Sequence, residues 1–197
     1  MGKRNYYIVN GITWYRALAA FCMLLLICNH QFSAFKWMLA FSFFTDAVDG
    51  NLARKLKVIS KFGSTLDSVA DDLTVAVAII GMIVFNPGFL KGELTLVVIL
   101  LLLYVLQITL ALIKYGKISS FHTYFAKAAA GLQGLFLVLF FFLPGPIYTL
   151  FYLTAIITVM DLVEEIALVL IMPEWKANVK GLYWVLSKSA VPECDEL

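Results

Sequence analysis

Four aspartates dominate the chemistry that this 197-residue chain could carry. Residues 46 to 72 read DAVDGNLARKLKVISKFGSTLDSVADD and hold five of the 13 acidic residues. Asp46 and Asp49 are spaced i, i+3, and Asp67 and Asp71 are spaced i, i+4, so on two helices each pair shares a face. Carboxylates beside hydrocarbon are costly unless something positive sits among them. Arg54 alone cannot neutralise four. One or two divalent cations can, and all-oxygen ligation by Asp46, Asp49, Asp67 and Asp71 suits hard ions such as Mg2+ or Mn2+. Gly63 lies one i, i+4 step before Asp67, and Gly50 one step before Arg54. A missing side chain beside the acids lets a bulky group approach the backbone, and a guanidinium offers a fork of donors to phosphate oxygens. Metal, room and guanidinium together describe a pyrophosphate site. The blander alternative is that the glycines pack helices closely while loop lysines pair with the acids.

The elements that must position these residues are legible from apolarity. The composition is 62% hydrophobic and 14% charged, with a mean hydropathy of +0.90, which excludes an ordinary soluble domain. Apolar stretches fall near 12 to 29, 33 to 52, 64 to 86, 94 to 114, 124 to 143 and 147 to 171. Each holds roughly 20 residues, enough to cross a hydrocarbon core of about 30 Å. Lipid forces backbone amides to pair within their own segment, and nothing alternates with the period of a barrel strand. The expected fold is an all-α integral membrane protein of six transmembrane helices, a single domain over residues 1–197. NPGFLKGE at 86 to 93 and LPGPI at 143 to 147 read as turns closing hairpins. Lys3 and Arg4 precede the first run, but without a cleavage site it reads as a retained helix.

Orientation follows from the basic residues. Lys3, Arg4, Arg54, Lys55, Lys57, Lys61, Lys114, Lys117, Lys127, Lys176, Lys180 and Lys188 share one side, against Lys36 and Lys91 on the other. The rich side is cytoplasmic by the positive-inside rule, so both termini and the active site face the cytosol. The net charge of +2, without a long basic run, argues against a nucleic-acid partner. Three cysteines, Cys22, Cys28 and Cys194, suggest neither a disulfide framework nor a zinc site.

A second cluster lies in KYGKISSFHTYFAK, residues 114 to 127. Lys114, Lys117, His122 and Lys127 gather at the cytoplasmic end of spans four and five, where they could hold a phosphate group by charge-assisted bonds or simply orient the chain. Asp161, Glu164 and Glu165 sit in the sixth span, Asp161 on a face with both glutamates. They either line the cytoplasmic cavity or pair with basic loop residues. Asp72 points about 100° away from Asp71, as a structural residue would. His30 falls at the face opposite the motif, and Phe41 to Phe44 and Phe140 to Phe142 read as lipid-facing or packing aromatics.

The pattern D-x2-D-G-x2-A-R-x8-G-x3-D-x3-D, carried by Asp46, Asp49, Gly50, Ala53, Arg54, Gly63, Asp67 and Asp71, resembles the signature of the CDP-alcohol phosphatidyltransferases at every fixed position. The six-helix layout is similar too. The resemblance implies transfer of a phosphatidyl group from CDP-diacylglycerol to an alcohol acceptor with release of CMP, in a metal-dependent homodimer. It implies that Asp46, Asp49, Asp67 and Asp71 hold two divalent ions, that Asp71 is the general base, and that Gly50, Ala53, Arg54 and Gly63 line the CDP site. Asn10, Thr13 and Arg16 resemble an N-x-x-T-x-x-R element near the nucleotide, or else a helix cap with a snorkelling arginine. The cationic cluster points to glycerol 3-phosphate ahead of inositol phosphate, although members using them often carry an Arg where this chain has lysines. A divalent-cation transporter is the alternative of another class, but the acids sit at one membrane face and no inverted repeat accompanies them.

Overall fold

The computed structural model describes residues 3–56, 61–117, 121, 123–175, 179 and 181–189, with side chains described outside 3–10, 12–13, 47–56, 61–68 and 188–189. Among them the chain is helical, with no strand: α1 (Lys3–Cys28), α2 (Phe32–Leu56), α3 (Lys61–Phe85), α4 (Pro87–Tyr115), α5 (Tyr124–Phe142), α6 (Tyr148–Ile171) and α7 (Leu182–Ser189). Each expected span lies on one of the first six. At the motif end the helices outrun the spans: α1 begins at Lys3 and α2 continues to Leu56. Apolarity marks the part of a helix that lipid can hold, whereas polar residues propagate the same helix beyond it.

The boundaries have local causes. At the end of α1, His30 takes a left-handed φ of 54°. Its amide donates to the Ile27 carbonyl at 3.0 Å and that of Gln31 to Leu26 at 2.8 Å, the paired bonds of a Schellman stop. The break between α3 and α4 is narrower than expected. Residues 86 to 93 read as a turn, yet α4 starts at Pro87. Proline suits the first helical position because its missing N–H would be unpaired there, and Asn86 Oδ1 caps the Phe89 amide at 3.3 Å. The turn over 143–147 is non-helical as expected.

Helices α4 and α5 are long and apolar enough to cross a membrane, with mean hydropathies of 2.9 and 1.8 over their most apolar stretches. Leu101, Leu102, Val105, Leu106, Leu112 and Ile113 on α4 are exposed. Water tolerates such a continuous apolar surface poorly and lipid accepts it.

The chain divides into two compact units. Residues 1–92 and 137–146 form the first, and residues 93–136 and 147–197 the second. In the first, α1 packs against α2 and α3. Its buried stripe is Arg16, Ala19, Ala20, Met23 and Ile27, facing Phe35, Leu39 and Ser42 of α2 and Ala70, Thr74, Val77, Ala78 and Met82 of α3. Small residues in these stripes let backbones approach where association depends on van der Waals contact. Gly81 is the tightest point, since a Cβ there would lie 2.5 Å from Phe35 Cζ. The Phe35 ring cannot retreat, being fully buried and packed on Phe85 at 5.4 Å and Phe141 at 5.0 Å. Phe140 and Phe141 are thus packing residues, whereas Phe41 and Phe44 are exposed.

In the second unit Ala111, Phe121, Leu168, Val169 and Met172 form a core that Leu110, Tyr115, Val179, Leu182 and Val185 cover. Lys114 Nζ donates to the Val169 and Leu170 carbonyls at 2.8 and 3.0 Å. Tyr115 Oη donates to the Met172 carbonyl at 2.7 Å. Together they satisfy the carbonyls left open at the end of α6, where the helix dipole also favours a cation.

Replacing Gly81 with alanine should overpack the Phe35 contact and cost about 1–3 kcal/mol. The thermal midpoint of detergent-solubilised protein should fall, and combining Gly81→Ala with Phe35→Leu should recover part of it.

Candidate active site

Three helices meet at one guanidinium. Arg16 of α1 is 2% exposed, and its Nη1 lies 2.7 Å from Asp46 Oδ1 of α2. Its Nη2 is bonded to Asp71 Oδ1 of α3. The carboxylates are far more open than the guanidinium between them, at 36% for Asp46 and 45% for Asp71. The cation is therefore fixed from the protein side while both acids present a face to whatever enters. Arg16 reaches this position because it shares a helix face with Ala20 and Met23, and Asp46 because it continues the Phe35, Leu39, Ser42 stripe.

The sequence offers Arg54 as the cation among the acids and Arg16 as part of a nucleotide element or a snorkelling side chain. A buried side chain between two carboxylates does not snorkel, so Arg16 is a cation among these acids. Its signal in the sequence is a lone charge inside the first apolar stretch, which calls for a partner.

Asp46 and Asp71 are thus brought together. The side chains of Asp49, Gly50, Ala53, Arg54, Gly63 and Asp67 lie outside the described residues, as do those of Asn10 and Thr13. The backbone is nevertheless helical through all these positions, so the i, i+3 and i, i+4 spacings act on continuous helices. Among the described residues no three His, Cys, Asp or Glu side chains gather into a metal-holding group. The donor chemistry of Asp46 and Asp71 fits a hard divalent ion, because two hard oxygen ligands from different helices converge and remain partly open. Asp72 is exposed beside them on α3.

Of the second cluster, Lys114 caps α6. Lys117 Nζ lies 5.5 Å from the centre of the Trp175 ring and Lys127 Nζ 5.6 Å from that of Tyr124. All three lysines are otherwise exposed, and His122 lies outside the described residues.

Two glutamates of α6 have structural partners. Glu165 Oε2 accepts from Gln107 Nε2 of α4 at 2.7 Å. Glu164 Oε1 accepts from the Leu182 amide at 2.9 Å, at the first residue of α7. Gly181 before it has φ 153°, and a Cβ there would come within 3.0 Å of the same oxygen. Among the described residues these bonds tie α6 to its neighbours, and the loop residues Lys176 and Lys180 lie outside them.

The model of one protein family matches residues 6–171, most of the chain and the whole of the aspartate motif. The chain belongs to the CDP-alcohol phosphatidyltransferase family. The family match ends at the last residue of α6, so α7 lies beyond it. Among curated phosphatidyltransferases, this family member is similar to the CDP-diacylglycerol–inositol 3-phosphatidyltransferase of Saccharomyces cerevisiae, at 37% identity over 36% of the chain and 32% of the relative. It is similar to the CDP-diacylglycerol–glycerol-3-phosphate 3-phosphatidyltransferase of Pseudomonas fluorescens at 42% identity, over 37% of the chain and 39% of the relative. Similarity to the phosphatidylinositol phosphate synthase of Cutibacterium acnes is 35% identity, over 39% of the chain and 38% of the relative. The matches therefore span about a third of each relative's length. No solved structure matches the chain significantly.

If Glu164 anchors α7, Glu164→Ala should release it, whereas Glu164→Gln keeps an oxygen acceptor and should hold it largely in place. A charge-assisted bond is worth about 1.5–3 kcal/mol. Amide exchange in Leu182 and the following turn should accordingly rise about tenfold or more in Glu164→Ala, read by mass spectrometry in detergent.

Proposed function

We propose that this family member is an integral membrane enzyme that transfers the phosphatidyl group of CDP-diacylglycerol to an alcohol acceptor and releases CMP. The observation that carries this reading is the meeting of Asp46 and Asp71, from two helices, at one half-open site within a complete eight-position motif. Six membrane-crossing helices in a single domain over 1–197, with the termini and the site on the cytoplasmic side, belong to the same proposal. So does a homodimer, which the resemblance implies.

Asp46, Asp49, Asp67 and Asp71 would hold one or two divalent ions, which offset the charge that grows on the pyrophosphate as its bridging bond breaks. The chain's own groups do the rest. Gly50, Ala53 and Gly63 leave room for the nucleotide, Arg54 donates to a phosphate, and Asn10 and Thr13 face the nucleotide from α1. Asp71 takes the proton of the acceptor hydroxyl as its oxygen bonds to the phosphorus attached to diacylglycerol. The bond from that phosphorus to CMP breaks, and CMP leaves with the electron pair. Asp71 has the openness that this role requires, since 45% of its side chain is accessible.

For the acceptor we propose a phosphorylated polyol, glycerol 3-phosphate or inositol phosphate, held by Lys117, Lys127 and His122. Lys114 contributes less than the sequence suggests, because its ammonium is committed to the end of α6. Free inositol is the second reading, favoured by that commitment and by the name of the yeast relative.

Purified protein given CDP-diacylglycerol should form lipid product and CMP in equal amounts, stop in excess chelator, and resume with Mg2+ or Mn2+. Asp71→Asn should abolish nearly all turnover while retaining most CDP-diacylglycerol binding. Turnover unaffected by chelator, or wild-type rates in Asp71→Asn, refutes this mechanism.

The acceptor is tested separately. Lys117→Ala or Lys127→Ala should raise the acceptor KM about tenfold to a hundredfold and leave that for CDP-diacylglycerol unchanged. Lys114→Ala should mainly lower the thermal midpoint. A preference for free inositol, with both KM values unmoved in the Lys117 and Lys127 variants, selects the second reading.

A further inference from the structure

We infer that Arg16 is a built-in counterion that sets the divalent-metal affinity of the site by competing for the carboxylates of Asp46 and Asp71. The inference rests on the metal-site reading above and adds a regulator to it. Arg16 bonds Oδ1 of both acids, and these are two of the groups that would ligate the ion.

Two opposite effects on metal affinity can be imagined, and the geometry chooses between them. A guanidinium that merely oriented the carboxylates would strengthen metal binding, because its loss would leave two side chains free to turn. A guanidinium that occupies their oxygens weakens it, since the ion must share or displace those bonds and approach a fixed positive charge. Arg16 lies between acids of different helices and takes one oxygen of each, so an ion drawn to either carboxylate meets the same guanidinium. Its 2% exposure keeps that charge from being screened by water. Repulsion between a buried unit charge and a divalent ion sharing the same ligands outweighs the rotamer entropy of two aspartates.

The arrangement also has a purpose without metal. Asp46 and Asp71 come from α2 and α3, and both helices pack on α1. Without a cation between them, like charges would push α2 and α3 apart. Arg16 thus holds the three helices in register when no ion is bound, at the cost of tight metal binding. It acts through the carboxylates and is a positioning residue.

The test is Mn2+ binding to detergent-solubilised protein, by titration calorimetry or electron paramagnetic resonance, with thermal melting in chelator and in saturating Mn2+. Arg16→Gln should lower the Mn2+ dissociation constant about tenfold or more. It should melt well below wild type in chelator, and Mn2+ should close most of that gap. Arg16→Lys keeps the charge but loses the fork, so its dissociation constant should fall by only about two- to threefold. This second variant keeps the test decisive should Arg16→Gln fail to fold. If the variants bind Mn2+ as wild type does or more weakly, or if the gap is the same with and without Mn2+, Arg16 is structural and the inference is wrong. Wild-type protein that binds no Mn2+, with Asp71→Asn indistinguishable from it, overturns the metal-site reading and this inference with it.

Discussion

A buried guanidinium held between the carboxylates of Asp46 and Asp71 is the constraint on which the first unit depends. Arg16 cannot be removed from water at 2% exposure without partners, and among the described residues these come from the two helices that α1 packs against. The apolar stripes of α1, α2 and α3 could satisfy one another in more than one register, because van der Waals contact between alanines and leucines discriminates weakly. The charge triad does not tolerate a slip. Moving α1 by one turn relative to α2 would strand a cation in apolar surroundings and leave two aspartates facing each other. Specific polar bonds are well suited to selecting among registers that apolar contact discriminates weakly.

The far end of the same unit is held differently. There Gly81 admits the Phe35 ring against α3, and Phe85, Phe140 and Phe141 close round it. The unit is thus pinned by shape at one end and by charge at the other. Shape can be tightly filled, whereas the charged end must stay open enough to admit a ligand, and the partial exposure of Asp46 and Asp71 is the sign of that opening.

Much of this was legible beforehand. Apolar run length located six helices, and the eight-position motif pointed to the family, because both signals are local in the chain. What was not legible depended on partners far apart in sequence. Arg16 and Asp71 are 55 residues apart, so the lone charge in the first apolar stretch signals a partner without saying which acid it is. The start of α4 was misplaced because Pro87 and Gly88 read as punctuation, while the capping geometry of Asn86 made the same proline the first helical residue. Helix α7 went unnoticed because eight residues are too few to show periodicity, and because its docking depends on a carboxylate 18 positions earlier.

The two acidic groups show how structural carboxylates differ from chemical ones when composition treats them alike. Glu164 and Glu165 each spend an oxygen on a neutral donor, a main-chain amide and a side-chain amide. Each of these bonds fixes the relation between two segments, and exchanging the donor for a ligand would undo it. Asp46 and Asp71 instead share one fixed guanidinium, and each keeps a partly accessible carboxylate. An acid tied to a neighbouring segment holds a fold together, as Glu164 and Glu165 do, whereas Asp46 and Asp71, tied to a common cation and half open to their surroundings, keep a face to which a ligand can bind.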